Sequence, residues 1–448
     1  MVERTQSFDE VQDLSAFLKK TVQRFDLADC FERLQGFEAA YDRNTLNTMV
    51  YADRIISRYP YEQIIRMLAG IVAFWNKVIG ELRPDAIIGE IASATEWIAW
   101  TLTQRLDIPY LIPYPTPVAN RFYFIGEPTG SWAPMKNHFA RNKHHNLSFK
   151  EAQIAESFVQ GFRAKKLKPP FLAWGERSML VPDIRQACRR AARIPFRIRS
   201  YVEAGRYEIG SYHGTPPWKP IWQDAKRVSR HAACASMIFE HSVAAGPYVY
   251  FPLHVQPEFT TEVRAPFMAN QVAVIENISK SIPVSHHVLV KEHPGMKGER
   301  KLDYYRQLKS LHNVHLVSPS VDSHTLIEHS DAVITITGST AWEAILYEKP
   351  VIALGPLCYG FYDLIYRCPN ASDLPELIGE ALNRFQANHD LLLKFVWSFL
   401  ETAYEVEWGD PIRMPRILES SNVKRVAAAI LAEISSRIGT LSTEMVPS

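Results

Sequence analysis

The chain has 448 residues, 47% hydrophobic and 22% charged, enough for two or three domains with a substantial core. A net charge of +2 gives no electrostatic basis for binding nucleic acid, and five scattered cysteines without a CxxC pair exclude a disulfide-built fold and a zinc-ribbon spacing. The opening MVERTQSFDEVQD lacks the apolar region of a signal peptide, and the most apolar patch, Met67 to Trp75, is shorter than the roughly 20 residues a bilayer requires, so a cytoplasmic protein is expected.

In chain order, apolar periodicity predicts helices over 14–25 and 64–82. RPDAIIGEIASATEW then predicts a short strand at 86–88 and a helix at 93–106, and IPYLIPY predicts the next strand. Residues 126–182 read as loop-rich, and 183–207 as basic. From Gly246 the rhythm is regular. Strands are predicted at YVYFPLH, HVLVKEH, VHLVS, DAVITIT and PVIALG, with helices over 266–282, 300–311, 323–329 and 340–347. Short apolar strands alternating with helices predict an α/β fold with a parallel, doubly wound sheet. Residues 390–437 return to long helical patterns. The expected domains are 1–240, Rossmann-like with helical insertions, 241–385, Rossmann-like, and 386–448, helices packing back across both, with a hinge near 235–247.

Ligands of such sheets bind beyond the carboxyl ends of the strands, and three predicted strand ends carry polar clusters. FPLHVQPEFTTE holds His254, Gln256 and Glu258; VKEHPG holds Lys291 and His293; ITITGSTAWEA holds Gly338, Ser339, Thr340 and Glu343. In the last, Gly338 would admit a close backbone approach, Ser339 or Thr340 would cap the helix, and the free amides would favour an anion. Glu343, one turn on, is placed to meet sugar hydroxyls. The plainer alternative is an ordinary N-cap with a surface glutamate. His293 is suited to donate to a phosphate or to act as an acid, against the alternative of a satisfied polar side chain at a turn.

The sequence contains no GxxxxGKS/T, no GxGxxG after a strand, no GxSxG, no HExxH and no Asp-x-Asp pair. Neither a P-loop, a nicotinamide or flavin site, a hydrolase elbow nor a metal site is expected. A nucleotide phosphate would be neutralised by Lys291, His293 and the helix end, without a metal or other cofactor.

The blocks FPLHVQPE (251–258), NQVAVIENISKSIP (270–283), VKEHPG (290–295) and ITITGSTAWEAILYEKPVIALG (334–355) resemble, in order and spacing, the capsule polysaccharide biosynthesis family, which includes the Kdo transferases of capsule export. That resemblance implies a GT-B glycosyltransferase: two Rossmann-like domains facing a cleft, the C-terminal one holding a CMP- or UDP-linked sugar. It implies that His293 and Ser339 or Thr340 meet the nucleotide phosphate and that Glu343 meets the ribose. The stretch 252–258 resembles a Pro-Leu-Gln…Asp segment of the Kdo transferases that carries a catalytic aspartate; here His254 and Glu258 stand at the corresponding places. The expected donor is a nucleotide-sugar, with a CMP-activated acidic sugar such as Kdo as one form, and the expected acceptor is a surface glycan or lipid-linked glycan.

Glycosyl transfer needs a carboxylate at the anomeric centre, as base or as nucleophile. Glu258 and Glu90, which ends AIIGE, are the two candidates, with a surface acid as the alternative for Glu90. Gln256 and Arg121 are candidates for the acceptor or an acidic sugar. Arg185, Arg189 and Arg193 at i, i+4 spacing, with Arg190, Arg197 and Arg199, make a basic stripe. It fits either peripheral contact with anionic lipid on the inner face of the cell membrane or a solvated face, and it lacks the interleaved aromatics of a nucleic-acid binder. Two other functions share this architecture: a UDP-sugar 2-epimerase, and a non-catalytic subunit of a capsule assembly complex.

Overall fold

The computed structural model describes residues 14, 17–18, 25–39, 45–53, 56–167, 194–195, 198–199, 218–241, 246–409, 411 and 414–444. Most of the helix expected over 14–25 lies outside them, as do Arg185, Arg189, Arg190, Arg193 and Arg197 of the basic stripe. The chain forms two compact units, residues 1–110 with 183–222, and residues 111–182 with 223–448. These boundaries differ from those expected at 240 and 385.

The first unit is mostly helical. Helix α1 (Leu27–Glu38) begins at Asp26, whose carboxylate accepts from the Ala28 amide at 3.0 Å. Helix α2 spans Leu46–Ala52 and α3 spans Tyr61–Leu82. Ile65, Leu68, Val72 and Ile79 of α3 recur at helical spacing and are buried, each contributing about 1.5–3 kcal/mol of transfer free energy. After strand β1 (Ile87–Ile88), helix α4 (Ala94–Arg105) opens with a capping box in which Ser93 and Glu96 satisfy each other's backbone amides. Buried Asp53 accepts from the Ala94 amide at 3.2 Å and from the Ile56 amide at 2.9 Å. The start of α4 is thus filled by carboxylates of its own unit. Glu90 is exposed in the turn between β1 and α4.

The second unit takes over within strand β2 (Tyr110–Pro115), which pairs antiparallel with β3 (Phe122–Ile125), Ile112 opposite Ile125 and Tyr114 opposite Tyr123. The region expected to be loop-rich contains two helices, α5 (Ala133–Asn142) and α6 (Phe149–Lys165). The start of α6 is legible in SFKE: Ser148 accepts from the Glu151 amide at 3.4 Å, and Glu151 accepts from the Ser148 amide at 2.7 Å. Helix α7 (Trp218–Met237) then leads to the main sheet.

That sheet has six parallel strands in the order β6-β5-β4-β7-β8-β9. They are β4 (Tyr248–Pro252), β5 (His287–Lys291), β6 (Val314–Val317), β7 (Ala332–Thr335), β8 (Val351–Ala353) and β9 (Ile365–Arg367). In chain order this is the 3-2-1-4-5-6 arrangement of a doubly wound fold, with its switch point between β4 and β7. The sixth strand was not among the five expected. Val249, Phe251, Val288, Val290, Ile334 and Ile352 are buried in one core because helices cover both faces of the sheet. The connecting helices are α8 (Phe259–Glu262), α9 (Gln271–Ser281), α10 (Leu302–Lys309), α11 (Ser323–His329), α12 (Thr340–Leu346) and α13 (Leu374–Asn383). The helix expected over 266–282 is broken, because Pro266 starts a separate 3-10 turn and Asn270 caps α9 anew.

Helices α14 (His389–Thr402) and α15 (Ser420–Glu444) close the chain. Helix α14 packs on α5 and α6, which is why residues 111–182 belong with the sheet. Trp132 is fully buried at that junction, 4.9 Å from the Tyr123 ring and 5.9 Å from those of Trp342 and Phe399. Trp342 lies on α12, so this packing fixes the face that α12 turns inward. Among the described residues no helix is long and apolar enough to cross a membrane.

Candidate functional site

An open hollow of about 560 Å³ lies at the carboxyl ends of β4 and β5, lined by Tyr250, Pro252, Lys291, His293, Ser323, Ser339, Thr340 and Glu343 among others. It occupies the switch-point side of the sheet, where doubly wound folds bind ligands. Five residues expected from sequence therefore share one cavity: Lys291, His293, Ser339, Thr340 and Glu343.

His293 follows β5. Its Nδ1 accepts from the Gly295 amide at 3.0 Å. A neutral ring that accepts at Nδ1 carries its proton on Nε2, so His293 is set as a neutral donor. Burial, with Lys291 and Arg300 adding repulsion, pulls its pKa down to about 4. The imidazolium acid weighed from sequence is therefore disfavoured. Lys291 supplies the positive charge. It is buried at the last position of β5, and its ammonium donates to Ser323 Oγ at 2.5 Å. Glu343 is buried on the inward side of α12. Helix α12 has only seven residues, and Ser339 at its N-cap position makes no side-chain capping bond. The expected side-chain cap is thus absent, and the hollow's polar lining includes the Lys291 ammonium and the hydroxyls of Ser323, Ser339 and Thr340.

The residues expected after β4 act as supports. His254 is buried behind residues 335–338, where its Nε2 accepts from the Thr337 amide at 3.3 Å and lies 3.2 Å from Thr335 Oγ1. Burial, with repulsion from His293 and Arg300, lowers its pKa to about 3. It does not line the hollow. Gly338 is required by this packing: a Cβ there would lie 2.9 Å from Thr335 Oγ1 and 3.0 Å from His254 Nε2. Gln256 is consumed internally, its Oε1 accepting from Gln271 at 2.6 Å and Arg300 at 3.3 Å, and its Nε2 donating to Glu262 at 3.0 Å. Glu258 is half-buried in the same loop and accepts from Thr260 Oγ1 at 2.7 Å; it lies outside the hollow's lining. Arg121 donates to the carbonyls of Leu400 at 3.2 Å and Ala403 at 3.4 Å, which anchors it to the end of α14.

Two contributors escaped the sequence. Arg300 ties two strand ends together: Nε donates to Glu292 at 3.0 Å, Nη1 to Gln256, and Nη2 to the His254 carbonyl. Glu292 also accepts from Tyr305 and from the His293 amide, both at 2.6 Å. Burial pushes its carboxyl upward while Arg300 pulls it the other way. Ser323, the second, follows the serine-rich end of β6, and that SPSVDS stretch was the available signal. Among the described residues no group of three or more His, Cys, Asp or Glu is placed to hold a metal.

The two depressed histidines give stability a defined pH dependence. An unfolded imidazole takes up its proton near pH 6.5, whereas these folded rings do so only near 4 and 3. Between those values the unfolded state binds more protons, so stability is full above about pH 6.5 and falls as pH drops, by up to about 1.4 kcal/mol per pH unit for each ring. Urea midpoints measured from pH 7.5 to 4.5 are expected to decline. His293→Asn, which keeps an acceptor for the Gly295 amide, is expected to flatten the slope, and an unchanged slope would show that this ring is not shielded.

Residues 197–392 match the family described as "Capsule polysaccharide biosynthesis protein". A 114-residue stretch is 26% identical to the capsule polysaccharide modification protein LipA of Neisseria meningitidis serogroup B, covering 25% of this chain and only 16% of that relative's length. Among solved structures, a KpsC beta Kdo 2,4 transferase from Thermosulfurimonas dismutans matches with a TM-score of 0.40 and 14% identity over 70% of this chain and 79% of its own. The UDP-GlcNAc 2-epimerase of Methanocaldococcus jannaschii matches with a TM-score of 0.28 and 13% identity over 74% and 80%.

Proposed function

We propose, from the match of residues 197–392 to the capsule polysaccharide biosynthesis family, that the protein is a metal-independent glycosyltransferase using a nucleotide-sugar donor. The acceptor would be a glycan or lipid-linked glycan of the cell surface. The observation that carries this reading is the gathering of Lys291, His293, Ser339, Thr340 and Glu343 around one hollow at the sheet's switch point. A buried ammonium and neutral imidazole and hydroxyl donors suit a nucleotide phosphate, and Glu343 suits a ribose diol. A CMP-activated acidic sugar such as Kdo is the donor we favour, from the likeness of VKEHPG to enzymes that use such sugars. Glu258, held by Thr260 outside the hollow, is the proposed base toward the acceptor hydroxyl; Glu90 is the second candidate.

A melting-temperature panel with CMP, UDP and GDP tests the reading, since a bound nucleotide raises the transition by mass action. One nucleotide is expected to stabilise the chain. Glu258→Gln is expected to keep that stabilisation while transfer falls by about 10²-fold or more. Absence of stabilisation by every nucleotide would favour the non-catalytic reading. Turnover of a UDP-sugar without any acceptor would favour the epimerase.

A further inference from the structure

Helices α11 and α12 bring Ser323, Thr340 and Glu343 to the hollow, yet each has only seven residues. Helices that short have little stability of their own and depend on tertiary contacts to hold their direction. Part of that fastening comes from the carboxyl end of α6, residues 162–167. Among the described residues the lining includes none from α6.

Lys166 ends α6 at φ +45°, a left-handed conformation uncommon for a residue with a Cβ. Its ammonium donates to Asp322 Oδ2 at 3.0 Å and to Thr325 Oγ1 at 2.9 Å. Asp322 is the N-cap of α11 and accepts from the Thr325 amide at 3.2 Å, so the lysine holds the cap immediately before Ser323. Arg163 reaches the far end of α12, where Nε donates to the Leu346 carbonyl at 2.6 Å and Nη2 to Glu348 at 2.9 Å. His324 stands between these two fastenings. It is fully buried, belongs to the lining, and its ring lies 5.2 Å from that of Phe162. Its Nε2 is 3.0 Å from the Leu167 carbonyl and its Nδ1 is 3.1 Å from the Tyr347 hydroxyl. A carbonyl only accepts, so Nε2 carries the proton, and Nδ1 of the neutral ring accepts from Tyr347. One imidazole therefore ties α11 to the end of α6 and to the end of α12.

We propose that residues 162–167 position the ligand-facing starts of α11 and α12, with Lys166 and His324 as the positioning residues, so that filling the hollow and ordering this turn favour each other. The inference rests on the nucleotide reading of that hollow. Holding the α11 cap fixes Ser323, which in turn holds the Lys291 ammonium. Tying α11 to α12 fixes the spacing that a ligand touching both must match, which lowers the ordering cost of binding. Linkage makes the effect reciprocal: a turn that tightens binding by some factor is itself tightened by the ligand by the same factor.

Isothermal titration and amide hydrogen exchange on the full chain, with CMP, UDP and GDP as probes, test this. Lys166→Met is expected to weaken the nucleotide that binds by about two- to fivefold, the range for a half-exposed ion pair, with the ligand-free melting curve unchanged. Lys166→Arg is expected to restore the affinity. Tyr347→Phe, which removes only the hydroxyl that His324 accepts from, is expected to weaken binding by a similar factor. In the unsubstituted chain the bound nucleotide is expected to slow exchange of the Lys166 and Leu167 amides, which donate to the Arg163 and Phe162 carbonyls, and Lys166→Met is expected to lose that slowing. A turn with a purely structural role would shift melting curves and leave affinity and ligand-induced slowing alone. Full affinity in both Lys166→Met and Tyr347→Phe, or nucleotide binding without slowed exchange at 166–167, would overturn the proposal and leave the nucleotide reading standing. Binding of none of the three nucleotides would remove that reading and this inference with it.

Discussion

Arg300→Ala is expected to lower the free energy of unfolding by about 3–5 kcal/mol, the range for removing one partner of a buried ion pair. The Arg300 side chain is 6% exposed and that of Glu292 is fully buried. Deleting the guanidinium strands the carboxylate with only Tyr305 and the His293 amide as donors, and it also strips a donor from the His254 carbonyl and from Gln256. The cost arises chiefly from leaving a charge buried and unpaired, not from the attraction lost. Adding Glu292→Gln to Arg300→Ala is therefore expected to recover part of the loss, because the amide needs no countercharge. Urea denaturation of the two single variants and the double measures the coupling. A single-variant loss below about 1 kcal/mol would mean that the pair is solvated and that Arg300 does not hold the strand ends. Nucleotide-induced stabilisation is expected to vanish together with the fold's rigidity, since His293 hangs from the turn that Glu292 and Arg300 brace.

Lys291→Met is expected to weaken nucleotide binding by about 10- to 100-fold while preserving the fold. Hydrogen bonds to charged groups contribute about 1.5–3 kcal/mol, which converts to that range. Methionine retains the apolar stem along β5 and removes only the ammonium that Ser323 holds at the hollow. His293→Ala is expected to cost less, up to about tenfold, because its neutral ring offers an uncharged Nε2–H. Salt distinguishes the two: the Lys291 contribution should shrink as ionic strength rises, the His293 contribution hardly at all. Isothermal titration of the nucleotide identified by the melting panel reads both. Unchanged affinity in Lys291→Met would remove the phosphate from this hollow.

The sequence by itself determined most of the main sheet and the polar strand ends at which the hollow lies. Runs such as VLV in β5 and AVIT in β7 are apolar without interruption, which fits strands covered on both faces, and each ends abruptly in polar residues. Lys291, His293, Ser339, Thr340 and Glu343 were legible as the lining of one hollow because they sit at or shortly after the ends of such runs. Strands β3 and β9 were missed because FYFI and IYR are too short for a periodicity to develop. Helix α6 was missed although its capping box was present in SFKE.

Tertiary structure alone decided which polar residues line the hollow and which brace the fold. His254 carries the same imidazole as His293, and Gln256 is a polar side chain at a strand end like those that line the hollow, and nothing nearby in sequence separates them. Their roles depend on partners far along the chain: Thr337 for His254, Gln271 and Arg300 for Gln256, and His254 itself for Gly338. Arg121, at the end of the β2–β3 turn, was assigned to its anchoring place by carbonyls at 400 and 403. Apolar spacing follows from burial of one segment and survives in the sequence. The choice of hydrogen-bond partner is made only when strand ends meet, so no stretch of sequence contains it.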